Sequence, residues 1–519
     1  MAVSESLSSS TYDDRVPLKA KLGFTAANTS NILLSGLALG SIDIFYLKFY
    51  NLDPRLMAIS WILFMGWNAV NDPLIGIIQD KTKSKLGRRV PYLRYGAIPY
   101  TITFLLVWFP FIYHSQFVYS FFAQWFPGID TTDMGLFWNH LMMLFIFDTL
   151  FSMIGLICNI LPAEMAITAQ ERTNVVAFAT IVGVPGSILP TILPIMLLSG
   201  DSPNKTTFLI VMVIIALIAG ILLYGGSYFI KENRYTVTEE TLGFKASVIE
   251  TFKNKPFLIM EITIFSFVVL QESMFSGLVY LMDYILIING WISIVSLIPV
   301  VIVSGWVLWK ILSKISILGL RKTMLRASFI ALFGFVLLLA IGCFWGPKVS
   351  VEMAGISLGL MFIGLLTFVM INQPLIGEAI DYDEIRTEKR RETTYSGVYA
   401  LITKPAVSIA HFIILSIMAI YGYNADLPVS AQPKSVSLGV FLAFTVVPIC
   451  FILIGILAMM KFPLYGEEWK EQKRRLQEIH IQKEREYLAY LEARMSNKRE
   501  NNVSKTILIN QRIRKNRVE

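Results

Sequence analysis

The chain has 519 residues, of which 55% are hydrophobic and only 16% charged, with a formal net charge of +8. A soluble protein of this size would carry roughly 25% charged residues; here the apolar residues run in long blocks and the mean hydropathy is +0.60. A single water-soluble domain is excluded, and an all-α membrane protein is expected, because a helix of about 20 apolar residues crosses the hydrocarbon with its own backbone groups satisfied.

Residues 1–21 begin MAVSESLSSSTYDDR, too polar and acidic for a cleavable signal peptide, and are read as a cytoplasmic N-terminus. About twelve spans follow by the length criterion, near 22–50, 56–79, 92–113, 138–162, 173–199, 206–230, 256–284, 289–312, 324–345, 351–376, 393–422 and 437–460. The aromatic stretch 114–137, interrupted by Pro127, Gly128 and acids, reads as an interfacial excursion. Span 5 carries VGVPGSILPTILP, whose prolines and glycines suit either a mobile helix or simple packing. Cys158, Cys343 and Cys450 fall inside spans, far apart, as small buried hydrophobes.

Lysine and arginine concentrate in alternate loops, at 81–94, 231–255, 314–326, 386–391 and in the tail. By the positive-inside rule those loops and both termini are cytoplasmic, which predicts a multi-pass protein of the cell membrane. The tail, 461–519, holds 15 Lys and Arg against nine Asp and Glu and reads as an amphipathic cytoplasmic helix touching solvent or anionic lipid, with no nucleic-acid partner. LGRRVPYLR (86–94) recurs as LGLRKTMLR (318–326), six spans later. The repeat predicts two parallel bundles, 22–230 and 256–460, joined by a linker at 231–255, which is the design of major facilitator transporters with a solute site at the midplane.

Ionisable groups inside a span are costly and usually face a polar cavity. Asn68, Asn71 and Asp72 lie at i, i+3 and i+4, on one helix face. Their oxygens suit a hard cation such as Na⁺, or a protonatable site, or a hydrogen-bonded kink before Pro73. Lys404, followed by Pro405 and then His411, sits too deep in span 11 to snorkel; it is read as counter-ion to Asp72 or to substrate, or as one side of a structural ion pair. Glu272, beside Gln271 in span 7, joins this set, and Glu261 is weaker because it lies near a helix end.

NDPLIGIIQDKTKSKLGRR (71–89) closely resembles the N-D-P-x-x-G…D-x-T-x-S-x-x-G-R-R signature of the glycoside-pentoside-hexuronide:cation symporters, and DYDEIRTEKRRETTYSGVYALITK (381–404) resembles their second signature. The resemblance covers about 18–465 and implies twelve helices in a major facilitator fold. In the melibiose-permease-like branch two span-2 acids and an asparagine bind the cation. Those positions fall on Asn68, Asn71 and Asp72, so an amide replaces one acid, which weakens Na⁺ coupling and opens H⁺ coupling or uncoupled transport. The branch's sugar-binding acids have no match in 22–42 or in SMIGLICN (152–159), where Asn28 and Asn31 of span 1 are the nearest polar substitutes, and its span-5 arginine falls near Ala179 or Thr180. Glu272 resembles the span-7 glutamate of the vertebrate lysophosphatidylcholine symporters.

The expected function is cation-coupled symport of a sugar or glycoside, with Na⁺ or H⁺ as coupling ion and no cofactor. Asp72, Asn68 and Asn71 would bind the ion; Lys404, Glu272, Asn31 and His411 would line the substrate path; Asp80, Gly87, Arg88, Arg89, Asp381 and Arg391 would form a cytoplasmic gate. The protein is expected to work as a monomer among membrane lipids. A lysolipid-like amphiphile as substrate, or a transporter-fold sensor or scaffold acting through the tail, are the alternatives; the sensor would lose function on truncation after Pro463 and a transporter would not. An enzyme is not expected, since the chain shows no nucleophile–base or metal constellation and no G-x-x-x-x-G-K-[ST] loop.

Overall fold

The computed structural model describes residues 15–111, 131–166, 168–232, 251–287, 291–387 and 391–482. The start of the N-terminus, most of the excursion at 114–137, most of the linker at 231–255 and the tail beyond residue 482 lie outside the described residues. In chain order the helices are α1 (Leu18–Tyr50), α2 (Pro54–Lys81), α3 (Val90–Trp108), α4 (Thr131–Met165), α5 (Ala169–Leu198), α6 (Lys205–Gly226), α7 (Lys255–Ser276), the short α8 (Leu278–Tyr284), α9 (Trp291–Ser313), α10 (Ile315–Trp345), α11 (Val351–Thr387), α12 (Glu392–Ile420) and α13 (Lys434–Met460). Among the described residues ten helices are long and apolar enough to cross a bilayer. α3 and α9 take the places of the third and eighth spans, so the twelve expected spans are all accounted for.

Two elements depart from the sequence expectation. Span 7 is not one helix: it breaks at Gly277, where a Cβ would meet the Phe444 ring at 2.1 Å and the Ser273 carbonyl at 2.5 Å, and α8 continues beyond the break. Span 10 is longer than expected, because α11 runs on to Thr387 and carries the polar DYDEIRT out of the apolar zone. There the tail helix, 466–482, docks on it: Trp469 is buried against Tyr382, Lys473 pairs with Glu378 at 3.4 Å and His480 with Glu384 at 3.0 Å.

Helix starts are capped in the usual chemistry, with Asp53, Thr168, Asn204 and Asn254 each accepting a backbone N–H of the first turn. The repeat seen in the sequence is also a backbone repeat. Gly87 before α3 has φ +116° and Gly319 at the break in α10 has φ +76°, a region that glycine enters without the steric cost of a Cβ.

Within the first half α1 packs on α5 and α6, and α4 on α2 and α3; within the second α7 packs on α12 and α13, and α10 on α11 and α13. The halves meet chiefly where α2 lies along α12. Close approach within a half uses glycine: a Cβ on Gly23 of α1 would sit 2.6 Å from the Gly226 carbonyl of α6. Gly23→Val should therefore destabilise the protein by about 1–3 kcal/mol, read as a lower thermal-unfolding midpoint in detergent. Gly40→Ala, on the same helix with nothing within 4 Å of its Cβ position, should not lower the midpoint.

Candidate functional site

The contact between α2 and α12 brings the intramembrane charges together. α2 remains a continuous helix through Pro73, and α12 through Pro405, so Asn68, Asn71 and Asp72 present one face toward Lys404. The Lys404 ammonium donates to Asp72 Oδ1 at 2.5 Å, to Asn71 Oδ1 at 3.0 Å and to Ser152 Oγ of α4 at 2.5 Å, which uses all three of its hydrogens. Asp148, one turn before Ser152 on α4, places Oδ2 3.8 Å from the same nitrogen and accepts a short hydrogen bond from Asn71 Nδ2. Asn68 Nδ2 donates to the Lys404 carbonyl at 3.2 Å, while its Oδ1 is buried with no hydrogen-bond partner. The Lys404, Asp72 and Asp148 side chains are 16%, 12% and 4% exposed.

Asp148 is an acid of span 4 that the search of SMIGLICN (152–159) did not reach. It lies four residues upstream of the stretch SMIGLICN in which an acid was sought, a helical turn away on the same face. Asp72 is therefore one of two carboxylates around one ammonium. In their charged forms the three groups leave one net negative charge, surrounded by carboxylate, amide and hydroxyl oxygens, the donor set of a hard monovalent cation.

The other residues expected on the substrate path do not join this cluster. His411, two turns beyond Lys404, gives Nδ1 to Asp43 Oδ2 at 2.6 Å and stacks on Trp61 with centroids 3.9 Å apart. Asp43 immediately follows the acid-free stretch 22–42 and was missed for that reason; it is buried, as is His140 of α4, which also bonds it. Glu272 is bonded to Gln271 and lies within electrostatic reach of His411. Asn31 is buried with Oδ1 unpartnered, its amide nitrogen 3.4 Å from the Cβ position of Gly155 on α4.

The two ends of the bundle differ. At the basic-loop end the expected gate residues bond within their own halves: Arg89 reaches Asp80 at 2.7 Å, Gln79 at 3.1 Å and Glu164 at 2.9 Å, and Arg88 reaches Glu164 at 2.9 Å. Glu232 accepts the backbone N–H groups of Arg88, Arg89 and Val90 at the start of α3, and its carboxylate fills the space that a Cβ on Gly87 would need. Arg391 forks onto Asp383 at 2.6–2.9 Å, and Asp381 lies half-buried nearby on α11. At the opposite end the halves are tied to each other. Lys48 of α1 pairs with Asp283 of α8 at 2.5 Å, Asp283 also accepts from Ser199 and Gly200, Asn51 donates to Asp426, and Asp201 accepts the Ser430 N–H. These ties were not foreseen, because charges at span ends look like ordinary solvated or snorkelling groups in sequence.

Residues 25–466 match the family model described as "MFS/sugar transport protein". The chain belongs to this family. A symporter of Synechocystis is 30% identical over 190 residues, a local match covering 35% of this chain and 31% of that protein. The isoprimeverose transporter of Lactiplantibacillus pentosus is 22% identical over 81% of this chain and 84% of its own. The sodium-dependent lysophosphatidylcholine symporter 1 of Xenopus tropicalis is 22% identical over 86% of this chain and 87% of its own. Among solved structures, the nucleoside transporter NupG superposes over 86% of this chain and all of its own, with a TM-score of 0.53 at 15% identity, which supports the major facilitator fold. The family and this structural neighbour are transporters rather than enzymes.

A shared charge network makes a measurable statement about stability. Lys404→Met should lower the thermal-unfolding midpoint, and adding Asp148→Asn should restore part of the loss, with an interaction energy of about 0.5–3 kcal/mol in the double-mutant cycle. Strictly additive losses would show that the two side chains do not share their charge.

Proposed function

We propose that the protein is a secondary active transporter that carries a sugar or glycoside together with one monovalent cation, by alternating access between its two halves. The observation that carries this reading is the position of Lys404: a second-half ammonium held in mid-membrane by Asp72, Asn71 and Ser152 of the first half, with Asp148 beside it. A cation that takes up the same oxygens competes with the ammonium, so ion occupancy and the contact between halves become linked. Na⁺ or H⁺ would fill this role, with Asn68 contributing its unpartnered oxygen.

Support for a polyhydroxylated solute comes from α1, where the side-chain oxygens of Thr29, Ser30, Asn31 and Ser41 are buried without partners. Buried polar groups are nearly always satisfied, and a sugar would offer donors and acceptors to those that share a helix face, as Ser30 and Ser41 do. The family description and the isoprimeverose-transporting relative point the same way. With the loops at 51–53, 199–201 and 424–430 on the outer face and both termini cytoplasmic, the Lys48–Asp283 ties close the outer side in this arrangement. The protein would act as a monomer in the cell membrane.

The test is uptake into proteoliposomes under imposed Na⁺ or H⁺ gradients, with a panel of sugars and glycosides and with lysophosphatidylcholine as the competing substrate class. One of the sugars should accumulate in a gradient-dependent way, and Asp72→Asn should reduce that accumulation at least tenfold. Gradient-driven uptake of the lysolipid alone would replace the sugar reading, and uptake indifferent to both gradients and to Asp72→Asn would remove the cation role.

A further inference from the structure

A second buried polar cluster lies closer to the outer end, about 10 Å from Lys404 along α12 at 1.5 Å per residue. Its centre is Asp43 of α1. The carboxylate accepts Trp61 Nε1 of α2 at 2.9 and 3.1 Å, faces His140 Nε2 of α4 at 3.1 Å, and faces His411 Nδ1 of α12 at 2.6 Å. Behind His140, its Nδ1 lies 2.7 Å from Ser60 Oγ, and Ser60 Oγ in turn lies 2.7 Å from the Met57 carbonyl. His140 and Ser60 are fully buried and His411 nearly so.

Ser60 has one hydroxyl hydrogen. Two oxygens 2.7 Å apart with no hydrogen between them repel, so the Ser60 hydrogen belongs on the line to Met57. Nothing then remains for Ser60 to donate to His140, and the 2.7 Å contact is satisfied only if His140 Nδ1 carries a hydrogen and Ser60 accepts it. His140 Nε2 faces a carboxylate and so carries a hydrogen as well. A ring with hydrogens on both nitrogens is an imidazolium, and Asp43 stands beside it as counter-ion.

We infer that Ser60, His140, Asp43 and His411 form a proton-binding site, separate from the Lys404 cluster, with the bound proton on Nδ1 of His140. The groups that face it are few. α1 supplies Asp43 and Tyr46, whose ring lies edge-on to His140 with centroids 5.2 Å apart. α2 supplies Ser60 and Trp61, and α12 supplies His411. Glu272 of α7 lies within electrostatic reach of His411, and Tyr280 of α8 within reach of Asp43. Tyr46 keeps its hydroxyl on Asn139, which donates to it at 2.6 Å.

Because Asp43 and His140 belong to the first half and His411 to the second, the cluster is whole only while the outer end is closed. Proton occupancy and closure are therefore linked, and each biases the other by the same free energy. This linkage rests on the alternating-access reading above; the protonation of His140 does not.

The chain contains only four histidines, so ¹⁵N-histidine labelling resolves each ring by solid-state NMR of the full-length protein in lipid bilayers. One ring should show both nitrogens protonated, and its signal should vanish in His140→Gln. Ser60→Ala removes the acceptor and should abolish the doubly protonated signal of that ring; Ser60→Thr, which keeps a hydroxyl, should retain it. A His140 ring that is singly protonated, a doubly protonated signal that survives His140→Gln, or one that survives Ser60→Ala would each overturn the proposal. The readout needs no solute, so failure of the transport reading would leave it standing or falling separately.

Discussion

Everything in the middle of this bundle follows from one constraint, the placement of a lysine ammonium where the surrounding medium is hydrocarbon. An isolated charge at that depth costs at least about 2.5–3.5 kcal/mol and more on stricter scales. The second half, which carries Lys404, leaves the neutralising work to the first: Asp72 and Asn71 come from α2, Ser152 and Asp148 from α4. The ion pair is therefore also a mechanical connection. Removing a partner strands a charge, whereas adding a competing cation exchanges one satisfied arrangement for another.

The helices around this pair exist to hold its geometry. Backbone groups in a bilayer must bond within their own segment, so α2 and α12 stay helical through Pro73 and Pro405 and deliver their polar faces in register. Glycine contacts such as Gly23 against Gly226 bring helices of one half close enough to behave as a unit. The ends of the bundle carry opposite bonding. Arg88, Arg89 and Arg391 bond within their own halves, whereas Lys48 and Asp283 tie the halves together. An asymmetry of that kind is what a two-state rocking device needs, since each state requires its own closed end.

Much of this was legible in the sequence, and for physical reasons. Apolar run length announced the spans, and the recurrence of L-G-x-R-x-x-x-L-R announced two related halves; that Gly87 and Gly319 share a positive φ was visible only in the structure. Asp72 and Lys404 stood out because a charge amid apolar residues has few bland explanations. Asp148 and Asp43 passed unnoticed although the same rule applies to them, because they were sought at fixed positions a turn or a residue away. Which charge meets which is a property of helix–helix contact, and periodicity along one helix carries no record of it. The break at Gly277 was hidden for a similar reason: what forbids a side chain there is the Phe444 ring, far along the chain. The His140 network lay deeper still, since its meaning depends on a count of hydrogens between α2, α4 and α1.

The central claim is that the Lys404 cluster holds one net negative charge open for one cation. Equilibrium binding of ²²Na⁺ to the purified protein at fixed high pH, where protons compete least, tests it without reference to any solute. Wild type should bind one ion per chain, and Asp148→Asn, which cancels the net charge while keeping the shape, should bind it at least tenfold more weakly. Equal binding by the two proteins would contradict the account.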